Sequence, residues 1–156
     1  MNDGIVLTKI DSRGIAVVTL NRPERNNAYN GEMISELIKS FTSLYDNNDV
    51  RMVLIRGLGK HFQGGADLEW LKEIGKLSEQ QNIEVSRKTA SAIKGLIEFP
   101  KPTIAMIHGG CFGGGTGIAA AADIVVASED AIFSIAEAKW GVMACLLYTS
   151  DAADDE

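Results

Sequence analysis

The chain has 156 residues, 46% apolar and 23% charged, with a formal net charge of −6; this suits one globular domain with a sizeable core and hardly two. It carries no basic run and no zinc-type Cys/His spacing, which argues against a nucleic-acid partner, an anionic membrane surface and a bound metal. There is no secretory signal pattern, no uncharged apolar run of membrane-spanning length and no disulfide framework from two cysteines, so the expected setting is a reducing cytoplasm.

In chain order, β-rich runs at 5–10 and 15–20 flank Asp11-Ser12-Arg13-Gly14 and predict a hairpin. Pro23 disfavours helix at Arg22, so the next few residues are loop. Met33, Ile34, Leu37, Ile38, Phe41, Leu44 and Tyr45 recur at helical spacing over 31–46, with Asn30 as N-cap. "MVLIRG" at 52–57 reads as a buried strand, "LGKHFQGGAD" as a glycine-rich loop and "DLEWLKEIG" as a short helix. A longer helix is expected over 78–98, capped by Ser78, with Val85, Ala92, Ile93, Leu96 and Ile97 facing inward, and "PKP" stops it. A buried strand at 103–109, a second glycine loop, a helix near 114–122 and strands at "IVVAS" and "AIFSI" follow. Strands alternating with helices imply right-handed crossovers and a mainly parallel sheet, hence an α/β fold. No fixed-period sequence repeat is visible.

Both glycine loops are read as following short buried strands and opening helices, where parallel sheets place ligands. Gly64 and Gly65 permit unusual backbone angles, Ala66 keeps the wall low, and Gly113 to Gly115 let a ligand approach the peptide plane. The first N–H groups of a helix are unpaired and carry partial positive charge. Two of them facing each other would cradle an oxygen gaining negative charge. Tight helix–strand packing is the alternative for either loop alone. A phosphate site fits less well, because no Lys-hydroxyl pair follows the glycines and "GGGTG" misses the dinucleotide spacing.

Three ordered stretches, "LNRPERNNAYNGEMISEL", "GKHFQGGADLEWL" and "IHGGCFGGGTGIAAAADIVVAS", resemble the enoyl-CoA hydratase/isomerase (crotonase) family over residues 4–144. The resemblance implies a spiral of ββα units, truncated before C-terminal helices, in a parent that forms trimers or hexamers. It implies that the N–H groups of Ala66 and Gly114 bind the thioester oxygen of an acyl-CoA, so that coenzyme A enters as part of the substrate and no separate cofactor is needed. Arg25 would meet a CoA phosphate, the backbone of Asn27 and Ala28 would lie beside adenine, and Gly65, Asp67, Leu68 and Gly113 would line the rest of the CoA. Asp67 is equally a natural helix cap. Asn26 departs from the basic residue usual before the Asn-Ala pair.

Hydratases of that family often carry two glutamates. The position of the first is Gly117 here, and the second matches Glu137 in "SIAEAKWGV". Set near Ile135 and Trp140, Glu137 would have its pKa raised toward working pH and would shuttle a proton between water and the α-carbon. The implied function is addition of water across an enoyl-CoA double bond. The alternatives are an isomerase or hydratase-lyase using the same glutamate, or a catalytically silent acyl-CoA-binding protein. His61 and His108 are read as structural and Cys111 as packing; no Gly-x-Ser-x-Gly elbow is present.

The last twelve residues, "CLLYTSDAADDE", lack apolar periodicity and hold four acids. They resemble the conceptual translation of a sequencing-library adapter read through in frame. The expected organisation is therefore an incomplete domain over 1–144 and a non-native tail over 145–156. Alone, the chain is expected to be poorly stable and inactive.

Overall fold

The computed structural model describes residues 4–135. Strands β1 (Val6–Ile10) and β2 (Ile15–Leu20) form the predicted antiparallel hairpin, Val6 opposite Leu20. Its turn is set by Asp11, whose carboxylate accepts from the N–H groups of Arg13 and Ile15, and by Gly14 at φ +80°. Strands β3 (Met52–Gly57), β4 (Thr103–Ile107) and β6 (Ile124–Ala127) then add in parallel, giving the order β1-β2-β3-β4-β6. Because side chains alternate across a pleat, Ala16, Val18, Leu20, Val53, Ile55, Ala105 and Ile107 all point to one side and are buried there.

The helices cover that side. Helix α1 (Gly31–Tyr45) starts at Asn30, whose side chain accepts from the N–H of Met33 at 2.9 Å. Met33, Ile34, Leu37, Phe41 and Leu44 are buried as expected. Ile38 is only half-buried, and Tyr45 is 46% exposed, its ring edge-on to Phe99 at the end of the apolar stripe. Helix α2 (Leu68–Ile74) is short; α3 (Glu79–Ile97) opens with a capping box between Ser78 and Gln81. Ala92, Ile93 and Leu96 face the core, but Ile97 does not: it is 48% exposed. Thr89 takes an inward place instead, its hydroxyl satisfied within the helix by the carbonyl of Val85 at 2.8 Å.

The larger departure lies between β4 and helix α4 (Gly114–Ala121). The strand expected to run through 109 ends at Ile107, because Gly109 adopts φ +55° and turns the chain. A separate strand, β5 (Gly110–Phe112), follows and pairs in parallel with β7 (Ile132–Ser134) in a second sheet. The glycines at 113–115 thus follow β5, not β4. Parallel bridges Gln63–Cys111 and Tyr29–Ala66 extend this second layer toward the N-terminus. Each turn of chain gives one segment to the first sheet, one to the second layer and then a helix. This is the crotonase-like ββα arrangement, and its repeat lies in the path rather than in the residues.

At the far edge, Ile124, Val125 and Val126 of β6 and Ile132 and Phe133 of β7 are all exposed. Glu137, Trp140 and the 144/145 boundary lie outside the described residues.

Candidate active site

The first glycine turn is assembled by side chains arriving from elsewhere. Asn26 and Asn27 both take left-handed angles, φ 52° and 56°, closing the 3-10 turn Pro23–Arg25. This swings the Asn27 side chain into the core, where it is fully buried. Its amide donates to the carbonyls of Leu58, His61 and Phe62 at 2.8, 2.9 and 3.2 Å, while its oxygen accepts from the Arg22 N–H at 2.8 Å. Arg22 bonds the Ala28 carbonyl at 2.9 Å and pairs with Asp67 at 2.6 Å, both side chains well buried. Loop 22–28 is thereby tied to loop 58–67.

Within that second loop the backbone on either side of Ala66 is committed. Gln63 pairs with β5, donating to Gly110 O at 3.1 Å and accepting from the Phe112 N–H at 2.9 Å. Gly65 needs its glycine, at φ +90°; its N–H donates to the Gln63 side-chain oxygen, and its carbonyl accepts from Tyr29. The Asp67 N–H donates to the Tyr29 carbonyl at 2.8 Å. Between them, the N–H of Ala66 has no acceptor among the described residues.

The second turn arrives at the same pattern by other means. Gly113 stands at φ 50°, ψ −115°, a backbone state open to little but glycine. Its N–H donates to Ser134 O at 2.9 Å, and the N–H groups of Thr116 and Gly117 turn back to Gly113 O. The first-turn amides of Gly114 and Gly115 are left without an acceptor among the described residues. Gly114 is buried. A buried N–H without a partner costs about 1–3 kcal/mol, so such a group points to an acceptor from outside. The two segments pair in parallel at the Gln63–Cys111 bridge, and Ala66 and Gly114 each lie three residues beyond it. Beside Gly114 lies a narrow apolar recess walled by Met33, Gln63, Ile93 and Ile118.

The other predicted residues fall as follows. Asp67 is buried and fully committed: one oxygen caps α2 through the N–H groups of Glu69 and Trp70, and the other holds Arg22. Burial alone would push its carboxyl upward, but Arg22 and the two N–H groups together hold it below the ordinary carboxylate value. Arg25 is half-exposed and pairs with Glu69 at 3.0 Å. The Ala28 carbonyl is occupied by Arg22. Leu68 is 43% exposed at the start of α2. His61 accepts from the Gly110 N–H at 2.8 Å, and His108 meets the Gly59 carbonyl at 2.9 Å; both brace loops. Cys111 is core, its thiol pushed up to about 11 by burial. Ile135, expected as an apolar neighbour of Glu137, is 59% exposed. The described residues contain no His/Cys/Asp/Glu cluster fit for a metal and no helix long and apolar enough to cross a membrane.

Two contributors were not singled out from the sequence. Arg22 lies 45 positions from Asp67, a separation that carries no local signal. Gln63 had one: a lone long polar residue between Phe62 and two glycines, just after a buried strand.

A family model described as enoyl-CoA hydratase/isomerase matches residues 11–151. A Thermus thermophilus protein provisionally described as an enoyl-CoA hydratase is 35% identical over 141 residues, covering 90% of this chain and 56% of that protein. A peroxisomal Delta(3,5)-Delta(2,4)-dienoyl-CoA isomerase of Arabidopsis thaliana is 36% identical over 151 residues, covering 90% and 54%. A Legionella pneumophila crystal structure, provisionally described as an enoyl-CoA hydratase/isomerase (crotonase), superimposes with a TM-score of 0.90 at 33% identity, covering 95% of this chain and 57% of that one. The chain thus spans about half the length of the relatives it matches.

Proposed function

The chain belongs to the enoyl-CoA hydratase/isomerase family, and on that premise we propose that it supplies the thioester-binding half of an enoyl-CoA hydratase. The N–H groups of Ala66 and Gly114 receive the thioester oxygen. Glu137 takes a proton from water, and the hydroxide adds to C3 of the enoyl group. The π electrons move through C2 onto the thioester oxygen, forming an enolate that the two amides hold. Protonated Glu137 then returns its proton to C2, and the double bond has gained one water. Donors in place before the charge develops need no reorganisation, and each contributes about 3–4 kcal/mol to lowering the barrier. Gly117 supplies no side chain, so a single carboxylate carries both proton transfers.

The observation that supports this reading is the pair of uncommitted amides at Ala66 and Gly114, on segments that pair in parallel at the Gln63–Cys111 bridge, with the N–H groups of Gly65, Asp67 and Gly113 all engaged. With Asp67 and the Ala28 carbonyl committed internally, CoA contact in this region falls to Arg25, Leu68 and the backbone edges of Asn27, Gly65 and Gly113. The parent is a cytoplasmic homo-oligomer of three or six chains in this reading. The exposed apolar residues of β6 and β7 support further chain or a partner covering that edge, and in this reading the 156-residue chain alone is inactive.

The test is turnover of crotonyl-CoA and bulkier enoyl-CoAs by the full-length parent and by its Glu137→Gln variant. Loss of general acid–base catalysis lowers kcat by about 10²–10⁴ with KM little changed; an unchanged kcat removes Glu137 from the mechanism. A parent that binds acyl-CoA but exchanges no α-proton with deuterated solvent is a silent binder. The isomerase reading is favoured by the Arabidopsis relative, and conversion of a 3-enoyl-CoA without uptake of water would establish it.

A further inference from the structure

We propose that Gln63 is a positioning residue that aims and strengthens one of the two oxyanion donors; this rests on the hydratase reading above. The peptide unit that matters joins Gly65 to Ala66, since its nitrogen carries the Ala66 N–H and its oxygen is that of Gly65. The peptide bond is planar and trans, so fixing the direction of the oxygen fixes the opposite direction of the N–H. Two donors hold that oxygen: the Tyr29 N–H at 2.9 Å and the Gln63 side-chain amide at 3.1 Å. Gln63 also receives the Gly65 N–H on its own side-chain oxygen at 2.8 Å. The two contacts fix the amide's orientation, because a flipped Gln63 would set its NH₂ against the Gly65 N–H.

Three features make this more than a filled gap. Gln63 is 1% exposed, so these bonds face no competition from water. Hydrogen bonds to a carbonyl polarise the amide beyond it and make its N–H a better donor. Gln63 also reaches the other half of the site. A Cβ on Gly115 would lie 2.9 Å from Gln63 Cβ and from its Oε1, so the residue after Gly114 is glycine because Gln63 occupies the space. One side chain therefore bears on both donors, through a hydrogen bond to one peptide and a contact beside the next. Gly65 itself needs glycine only for its angle, since a Cβ there would meet Phe112 at an ordinary 3.6 Å.

The test uses the full-length parent, with Gln63→Met removing both bonds at similar volume. Gln63→Glu, read at alkaline pH, keeps an acceptor for the Gly65 N–H but has no donor for the Gly65 oxygen. Binding butyryl-CoA labelled with carbon-13 at its carbonyl lets infrared difference spectra report how strongly the site pulls on the thioester oxygen. Wild type shifts that stretch to lower frequency. Both variants shift it less, and both lose about tenfold in kcat for crotonyl-CoA while KM stays within about twofold, as expected for donors that act chiefly on the transition state. Should the Met variant not fold, the Glu variant decides. A full wild-type shift and kcat in a folded variant would overturn the role of Gln63 and leave the hydratase reading intact. No shift in wild type would remove the hydratase reading and this proposal with it.

Discussion

The turn at 62–66 and the turn at 113–117 each present an uncommitted amide, yet they are held by forces of different kinds. The first is suspended from side chains that come from distant parts of the chain: Asn27, Arg22 acting through Asp67, and Gln63. The second is a strand-to-helix junction whose geometry follows from the angle at Gly113 and the start of α4. One is secured by polar contacts in the core, the other by backbone conformation. The first is therefore sensitive to losing an atom and the second to gaining one.

Asn27→Ala breaks the comparison open most widely. It strands the carbonyls of Leu58, His61 and Phe62, the last of them in the core, and puts alanine at φ 56°. A cost of about 3–4 kcal/mol is expected from unsatisfied groups plus angle strain, read as a fall in denaturant midpoint. A loss under about 1 kcal/mol would mean the first turn stands without its support.

Arg22→Met is next, with an expected cost of about 2–3 kcal/mol, because it leaves the buried Asp67 carboxylate without its cation. It also carries a pH signature. The folded pKa of Asp67 is depressed, so its contribution is complete above the unfolded value near 3.8 and is lost as pH falls through the lower folded value. Acid titration of stability should show that limb in wild type and a smaller one in Arg22→Met. The second turn holds no carboxylate between 109 and 117 and contributes nothing to this limb.

The mildest of the three acts on the second turn. Gly113→Ala forces a Cβ into φ 50°, ψ −115°, at about 1–2 kcal/mol. Because the strain sits beside the Gly114 donor, kcat in the full-length parent should fall by more than the stability loss suggests. Equal activity at equal temperature would show that the junction tolerates adjustment.

Much of this was legible in the residues. The hairpin, the α1 stripe, the Ser78 cap and the parallel order follow from local pattern, and the two turns of the candidate site stand out by their glycines. What escaped detection was short or distant. A three-residue strand such as β5 is too brief for any period to show, and Gly110-Cys111-Phe112 reads as part of a glycine loop. Ile97 matches the apolar spacing of α3 but lies at the rim of a buried face made by Thr89, Ala92, Ile93 and Leu96. Asn27 was marked for its backbone, whereas its side chain does the binding, inward, to three carbonyls that sequence distance conceals.

The exposed aliphatic row on β6 bears on how such a molecule comes apart. A coil in which every turn leans chiefly on the one before it behaves as a linear array, with cohesion graded from middle to tip. Amide exchange should be slowest in β2 and β3, each flanked on both sides, and quicken toward Ile124–Ala127, so that melting begins as fraying at that end rather than as collapse of the centre.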